Sequence, residues 1–302
     1  MDFSDFPNYF KAASIASAKF QRYYKSIKRS AVILLILAVI VMFYSFQHSE
    51  GLTIVYGVIA VLVALSLILT LLLMIKKYDQ LWQECLNFKA SCKTATWQFV
   101  MSVGEFATLQ DRDELQRSFE NRMQHIIKEY QELIPHLDSA ALKQELLTAK
   151  MFELREASFE EKKSFYAQER ILVLNDIYFN KAIEHHQKYK LWSLNLILAQ
   201  VFALGAILFL VLEINAGWSI VALVTMLLSS LVSWLELQSN LERKQRYTLA
   251  LRELEGMQQG LSKVTLESEL DEFVWDTERL ISSPNAYWLI SGAQKGKQEI
   301  VV

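Results

Sequence analysis

Residues 51–75 read GLTIVYGVIAVLVALSLILTLLLMI, without one charged side chain. A helix needs roughly 20 apolar residues to cross the hydrocarbon core of a bilayer. Three further segments have the same character: residues 31–46, 191–212 and 217–235. The first is the shortest, although its charge-free run extends over residues 30–49 if His48 is neutral. The four form two pairs, each joined by a short connection, at residues 47–50 and 213–216. One such segment also suits the buried helix of a soluble core; four arranged as two hairpins predict a bilayer. A hydrophobic content of 52% and a formal charge of -2 would suit a large soluble protein, so the distribution, not the total, carries the inference. The predicted fold class is an all-α membrane protein with two transmembrane helical hairpins, four spans in all, and long cytosolic helices forming a bundle or stalk.

Basic residues give the orientation. Arg22, Lys25, Lys28 and Arg29 precede the first hairpin, and Lys76 and Lys77 follow it. Lys181, Lys188 and Lys190 precede the second, and Arg243, Lys244 and Arg246 follow it. Neither hairpin tip has Lys or Arg. Since Lys and Arg concentrate on the cytoplasmic side, both termini and the whole middle are expected in the cytosol, with the chain multi-pass in the cell inner membrane. Residues 1–30 are charged and lack an apolar core, so no cleavable signal is expected and the first span should act as an anchor. Tyr23, Tyr24, Tyr78, Trp82, Tyr189 and Trp192 flank the apolar segments and are candidate interface anchors.

The expected organisation is a first two-pass domain with helical lead-in and lead-out over residues 1–99, a cytosolic helical linker or stalk over 100–164, and a second two-pass domain with C-terminal cytosolic helices over 165–302. A helix from Asn8 should run unbroken into the first span. Beyond the hairpin, helix should continue over residues 76–99, where Tyr78, Leu81, Trp82, Cys85, Phe88, Cys92 and Ala95 form an apolar stripe. In water such a stripe needs a cover, from this chain or a second copy. Cys85 and Cys92 read as reduced cytosolic thiols at that interface. Asp111 and Glu114 have capping-box spacing at the start of a helix reaching Ile134, Pro135 ends it, and Asp138 can cap the next. Residues 139–190 contain neither Gly nor Pro and predict one long helix of about 75 Å, its charges, including the neighbours Glu169 and Arg170, on the outside. Helix should also continue from the last span to Leu261, followed by an amphipathic helix over 266–281 that stops at Pro284 and Asn285, with a loose tail from Gln294. Phe152, Phe159, Phe165, Phe273 and Trp288 are candidate cytosolic packing or partner residues.

The polar groups of the second hairpin, Asn195, Gln200, Thr225, Ser229 and Ser233, are candidate pore-lining or interhelical residues. Gln200 lies deepest and fits either an interhelical hydrogen bond or a lumen-facing position. No charge sits mid-span, which argues against an ion-coupled pump. The chain has no Walker lysine loop, no Gly-x-Gly-x-x-Gly, no His-Glu-x-x-His and no nucleophile elbow. No catalytic, cofactor-binding or metal site is expected, no cofactor, and no nucleic-acid partner.

Phe20, Tyr23 and Tyr24 before the first hairpin, Tyr78 and Trp82 after it, residues 178–189 before the second, and the terminal Phe273, Glu278, Arg279, Leu280, Ile281 and Trp288 carry a resemblance. The chain resembles the bacterial SLATT family of two-pass membrane effector domains associated with nucleotide signalling, in a tandem two-domain form. The resemblance implies an effector that forms a pore in the inner membrane or disrupts it in anti-phage defence; four spans are too few for one copy to enclose a wide pore, so a homo-oligomer is expected. Activation would come from a nucleotide second messenger or a cytosolic sensor protein of the same operon. The alternatives are a non-conducting scaffold that recruits a cytosolic partner, and a regulated ion channel.

Overall fold

A computed structural model describes residues 1–45, 52–211 and 216–282. The expected hairpin tip at 47–50, most of the second tip, the stop at Pro284 and Asn285, Trp288 and the tail from Gln294 lie outside the described residues. Among the described residues every regular element is helical. In chain order these are α1 (Asn8–Ser45), α2 (Leu52–Lys76), α3 (Tyr78–Val100), α4 (Arg112–Glu129), α5 (Ser139–Leu142), α6 (Ala149–Arg155) and α7 (Phe159–Tyr166). A π-helical segment, Ala167–Leu172, leads into α8 (Val173–Val211), which α9 (Ala216–Lys263) and α10 (Glu267–Ser282) follow.

α1 is continuous, as the absence of breakers predicts, and α9 continues from the last span as expected in spite of Gly256 and Gly260. The lead-out of the first hairpin is not continuous. Lys77 takes φ +47° while its N–H still bonds Leu73 O at 3.0 Å, so α2 closes with a left-handed cap and α3 starts afresh at Tyr78. The helix expected over 139–190 is also broken. Asn8 accounts for part of this: its Nδ2 donates to Leu142 O at 2.9 Å, and its backbone N–H donates to Glu145 O at 3.2 Å. Thr148 Oγ1 donates to Asp5 O at 2.8 Å. These bonds hold the chain extended before α6. Ser158 then opens α7 with a capping box, in which the Glu161 carboxylate accepts from Ser158 N at 3.0 Å and Ser158 Oγ at 2.8 Å. Asp111 and Asp138 cap α4 and α5 as expected, accepting from Glu114 N at 3.2 Å and Ala141 N at 2.8 Å. α4 stops at Glu129, short of Ile134, and Pro135 sits in a short 3₁₀ turn.

The chain divides into two units. Among the described residues, one comprises 1–22, 78–180 and 246–282; the other comprises 23–45, 52–77, 181–211 and 216–245. In the first unit, Phe6, just before α1, and Phe10, Ala13 and Phe20 of α1 pack with Cys85, Phe88, Cys92 and Phe99 of α3, with Phe119 and Met123 of α4 completing the core. The apolar stripe of α3 therefore has its cover within the chain. Burial pushes the Cys85 thiol up to about 12, with Glu84 adding to the shift, and raises Cys92 as well, so neither is a reactive thiolate. A second core joins Trp97, Met101 and Val103 to Tyr166, Ile171, Leu261, Leu270 and Val274.

The second unit has the inverse pattern. Among its described residues many large apolar side chains are outward and bare, with Ile54 74% and Ile75 75% exposed, while the small Ala31, Ala38, Ser66, Ala199 and Ser233 are buried. Among the described residues, Thr53–Phe106 contains the one window long and apolar enough by length and composition to cross a membrane, with a mean hydropathy of 3.2. The remaining apolar segments lie on α1, α8 and α9.

Candidate functional site

Within the second unit, polar groups on the apolar helices bond across helix pairs. Asn195 Nδ2 on α8 donates to Ser233 Oγ on α9 at 2.7 Å, and Ser233 Oγ donates to Ser229 O at 2.7 Å. Further along the same helices, buried His185 Nδ1 lies 2.8 Å from Asn240 Oδ1, and Asn240 Nδ2 donates to Glu236 O at 2.7 Å. Ser66 Oγ on α2 donates to Ala31 O on α1 at 3.1 Å. Lys28 and Glu236 pair at 3.5 Å, an exposed contact of little energetic weight. Gln200 is exposed, and no hydrogen bond joins it to any described residue. The side chain of Thr225 is outside the described residues.

The aromatic residues flanking the apolar segments have mixed surroundings. Tyr23 is exposed; Tyr24, Tyr189 and Trp192 are half-buried. Tyr78 stacks on Phe20 with centroids 6.2 Å apart, and Trp82 packs against the same core. In the first unit, Phe152 meets Phe99 edge-on at 5.5 Å and lies under the Arg112 guanidinium at 4.5 Å. Phe165 lies 5.7 Å from Trp97, Lys163 sits over Phe159 at 5.9 Å, and Phe273 packs onto the second core.

The most concentrated chemistry in the first unit was not expected from sequence. Arg170, placed on the outside by its charged neighbours, is buried, as is Glu278 on α10; their side chains are 3% and 0% exposed. Arg170 Nε donates to Glu278 Oε1 and Nη2 to Oε2, both at 2.7 Å. Tyr166 OH donates to Oε1 at 3.0 Å and Thr94 Oγ1 to Oε2 at 2.7 Å. A two-pronged guanidinium–carboxylate bond with both oxygens also taken by hydroxyls meets the requirements for a charge pair buried away from water. Burial works against the Arg170 charge, but the adjacent Glu278 carboxylate more than offsets it and keeps the guanidinium protonated. Burial, then Glu278, raises the Tyr166 phenol well above its usual range. Lys93, half-buried over the Phe6 ring at 5.5 Å, is lowered to about 8 by burial and then by Arg170.

Tyr166 and Arg170 stand four residues apart, so both reach Glu278 from one face of the helix, and the π-helical segment adds Ile171 to the buried side. Tyr166 and Ile171 are both buried although five residues apart, a spacing that an α-helix turns to different faces and a π-turn brings together. The four-residue spacing of Tyr166 and Arg170 is legible in the sequence, but their partner on α10 is not. Nearby, a cleft of about 440 Å³ is lined by Glu153, Glu156, Glu161 and Lys162. Lys162 Nζ is engaged with Ser102 Oγ at 3.2 Å. Three carboxylates against one ammonium make this cleft a poor receptor for a polyphosphate. Among the described residues no cluster of His, Cys, Asp or Glu is arranged to hold a metal ion.

Two family descriptions match the chain. Residues 7–163 match the family described as SMODS and SLOG-associating 2TM effector domain 3, and residues 166–288 match SMODS and SLOG-associating 2TM effector domain 1. No curated protein and no solved structure matches the chain.

Proposed function

From a chain that belongs to the SMODS- and SLOG-associating two-transmembrane effector (SLATT) family, with two of its domains in tandem, we propose an oligomeric effector that opens or disrupts the inner membrane when a nucleotide-signalling partner activates it. The chain is not an enzyme, because the domains of this family are non-catalytic effector modules. The observation that carries the reading is the inverted second unit. Asn195, Ser233 and Ser66 pair inward, Gln200 being the exception, and the large apolar side chains described are left to what this reading takes as lipid. On this reading residues 31–46, 51–75, 191–212 and 217–235 all cross the bilayer. The termini and middle lie in the cytosol, and residues 1–99 and 165–302 are two-pass domains separated by a stalk over 100–164. Four spans are too few to enclose a wide lumen, so several copies assemble. The acidic cleft beside Lys162 favours a protein partner as the reader of the nucleotide over direct binding there. The proposal extends to an anti-phage role, supported by the effector and signalling terms of the family description.

The test is expression in a bacterial host with and without the neighbouring genes, with membrane potential followed by a voltage-sensitive dye. Depolarisation that needs both this chain and its activating partner is the expected result. Full potential and normal growth with correctly inserted, activated protein would remove the pore and leave the scaffold.

A further inference from the structure

A polar amide bare to lipid is an unfinished contact. Gln200 lies mid-way along the apolar part of α8, exposed, with no hydrogen-bond partner among the described residues. Hydrocarbon offers it neither donor nor acceptor, so the amide needs water or protein. Its neighbours on the helix indicate which. Ser193, Ile197, Gln200, Leu204 and Ile207 follow one another at intervals of four, three, four and three. That alternation draws a single seam along a helix, the spacing by which two helices interlock side chains. Ile197, Leu204 and Ile207 on this seam are exposed. One heptad before Ser193, His186 continues the line, and its Nδ1 is shielded from water without a partner among the described residues. Two orphaned polar groups therefore fall on one line of one helix, flanked by bare aliphatic side chains.

The geometry points to a second copy of this chain as the occupant: α8 pairs with α8 of another copy along Ser193–Ile207, and the Gln200 amides hydrogen-bond to each other across the contact. An amide carries donor and acceptor together, so it complements itself, which a lipid tail or a purely apolar helix does not. A polar residue at one seam position fixes register and copy number, because any slip leaves the amide unpaired. The inference rests on the proposed reading of α8 as a membrane span.

The experiment uses the full chain in bacterial membranes with Gln200→Cys, and with Phe202→Cys as a control at similar depth on the opposite side of α8. The native Cys85 and Cys92 are fully buried, so the unmodified chain gives the background. Oxidation should cross-link Gln200→Cys into a dimer and leave Phe202→Cys monomeric, and a membrane-impermeant thiol reagent should fail to label Gln200→Cys. In parallel, Gln200→Leu should weaken self-association, read by energy transfer between labelled copies in vesicles, roughly three- to tenfold, with Gln200→Asn keeping most of it. Absence of the cross-link in carbonate-resistant protein would overturn the pairing while leaving the span intact. Ready labelling from water would overturn it in favour of a lumen-facing amide. Release of the protein by carbonate would overturn the span, and the pairing with it.

Discussion

Glu278 accepts four hydrogen bonds in a place closed to water, and each donor depends on its charge. Removing that charge leaves the Arg170 guanidinium buried and uncompensated, which costs about 3–5 kcal/mol. Glu278→Gln should therefore free α10 from α3, seen as faster hydrogen exchange of the amides in Glu267–Ser282 with little change in α4. Arg170→Met should do the same. The double variant Arg170→Met/Glu278→Met should lose far less than the sum of the two, because it strands no charge. It does not return fully to the parent, since Tyr166 and Thr94 lose their acceptor, each a cost of about 1–3 kcal/mol. Equal protection of α10 in Glu278→Gln and the parent would show that the pair contributes nothing to docking.

At the scale of elements, the same docking has a second support where α3 ends. Ser102 and Gly104 take φ +61° and +63°, and the Trp275 ring lies directly on Gly104. A Cβ there would clash with Cζ3 and Cε3 of Trp275. Gly104→Ala combines left-handed backbone strain with this clash and should destabilise the first unit by about 2–4 kcal/mol in denaturant unfolding. Gly256, inside α9 with open space where its Cβ would go, is the converse: Gly256→Ala should stabilise by about 0.5–1 kcal/mol. A Gly104→Ala variant as stable as the parent would show that the connection adjusts at no cost. These elements also show which parts of the fold sequence reveals. The continuity of α1 and α9 and the caps at Asp111 and Asp138 depend on neighbouring residues, and each was predictable. The break before α6 depends on Asn8 and Asp5, far away in the chain, and no local pattern announces it. The Ser158–Glu161 capping box was local and readable, but the lack of Gly and Pro argued for continuity. Arg170 meets a partner 108 residues away, so its charge alone pointed to the surface. Gln200 stood out by depth alone, while its lack of a partner needed the packed hairpin.

For the whole molecule, water and lipid make opposite predictions about the same side chains. Ile40, Val63 and Val201 are exposed near the middles of the segments on α1, α2 and α8, and half-buried Met226 is central to that on α9. On a protein surface in water, arginine at the exposed three would be harmless and would aid solubility. At the centre of a span it costs about 2.5–3.5 kcal/mol of insertion free energy. Ile40→Arg, Val63→Arg, Val201→Arg and Met226→Arg should each lower the carbonate-resistant fraction of newly made protein. The effects should be graded. Residues 31–46 are short and have the least apolar area to absorb the charge, so Ile40→Arg should be the most damaging. Residues 51–75 have the longest charge-free run of the four, and Val63→Arg should be the mildest. Leu249→Arg, at an exposed apolar position on α9 beyond the segment, should insert like the parent. A segment whose arginine variant also inserts like the parent is not a span, and the two-hairpin architecture would fail at that segment.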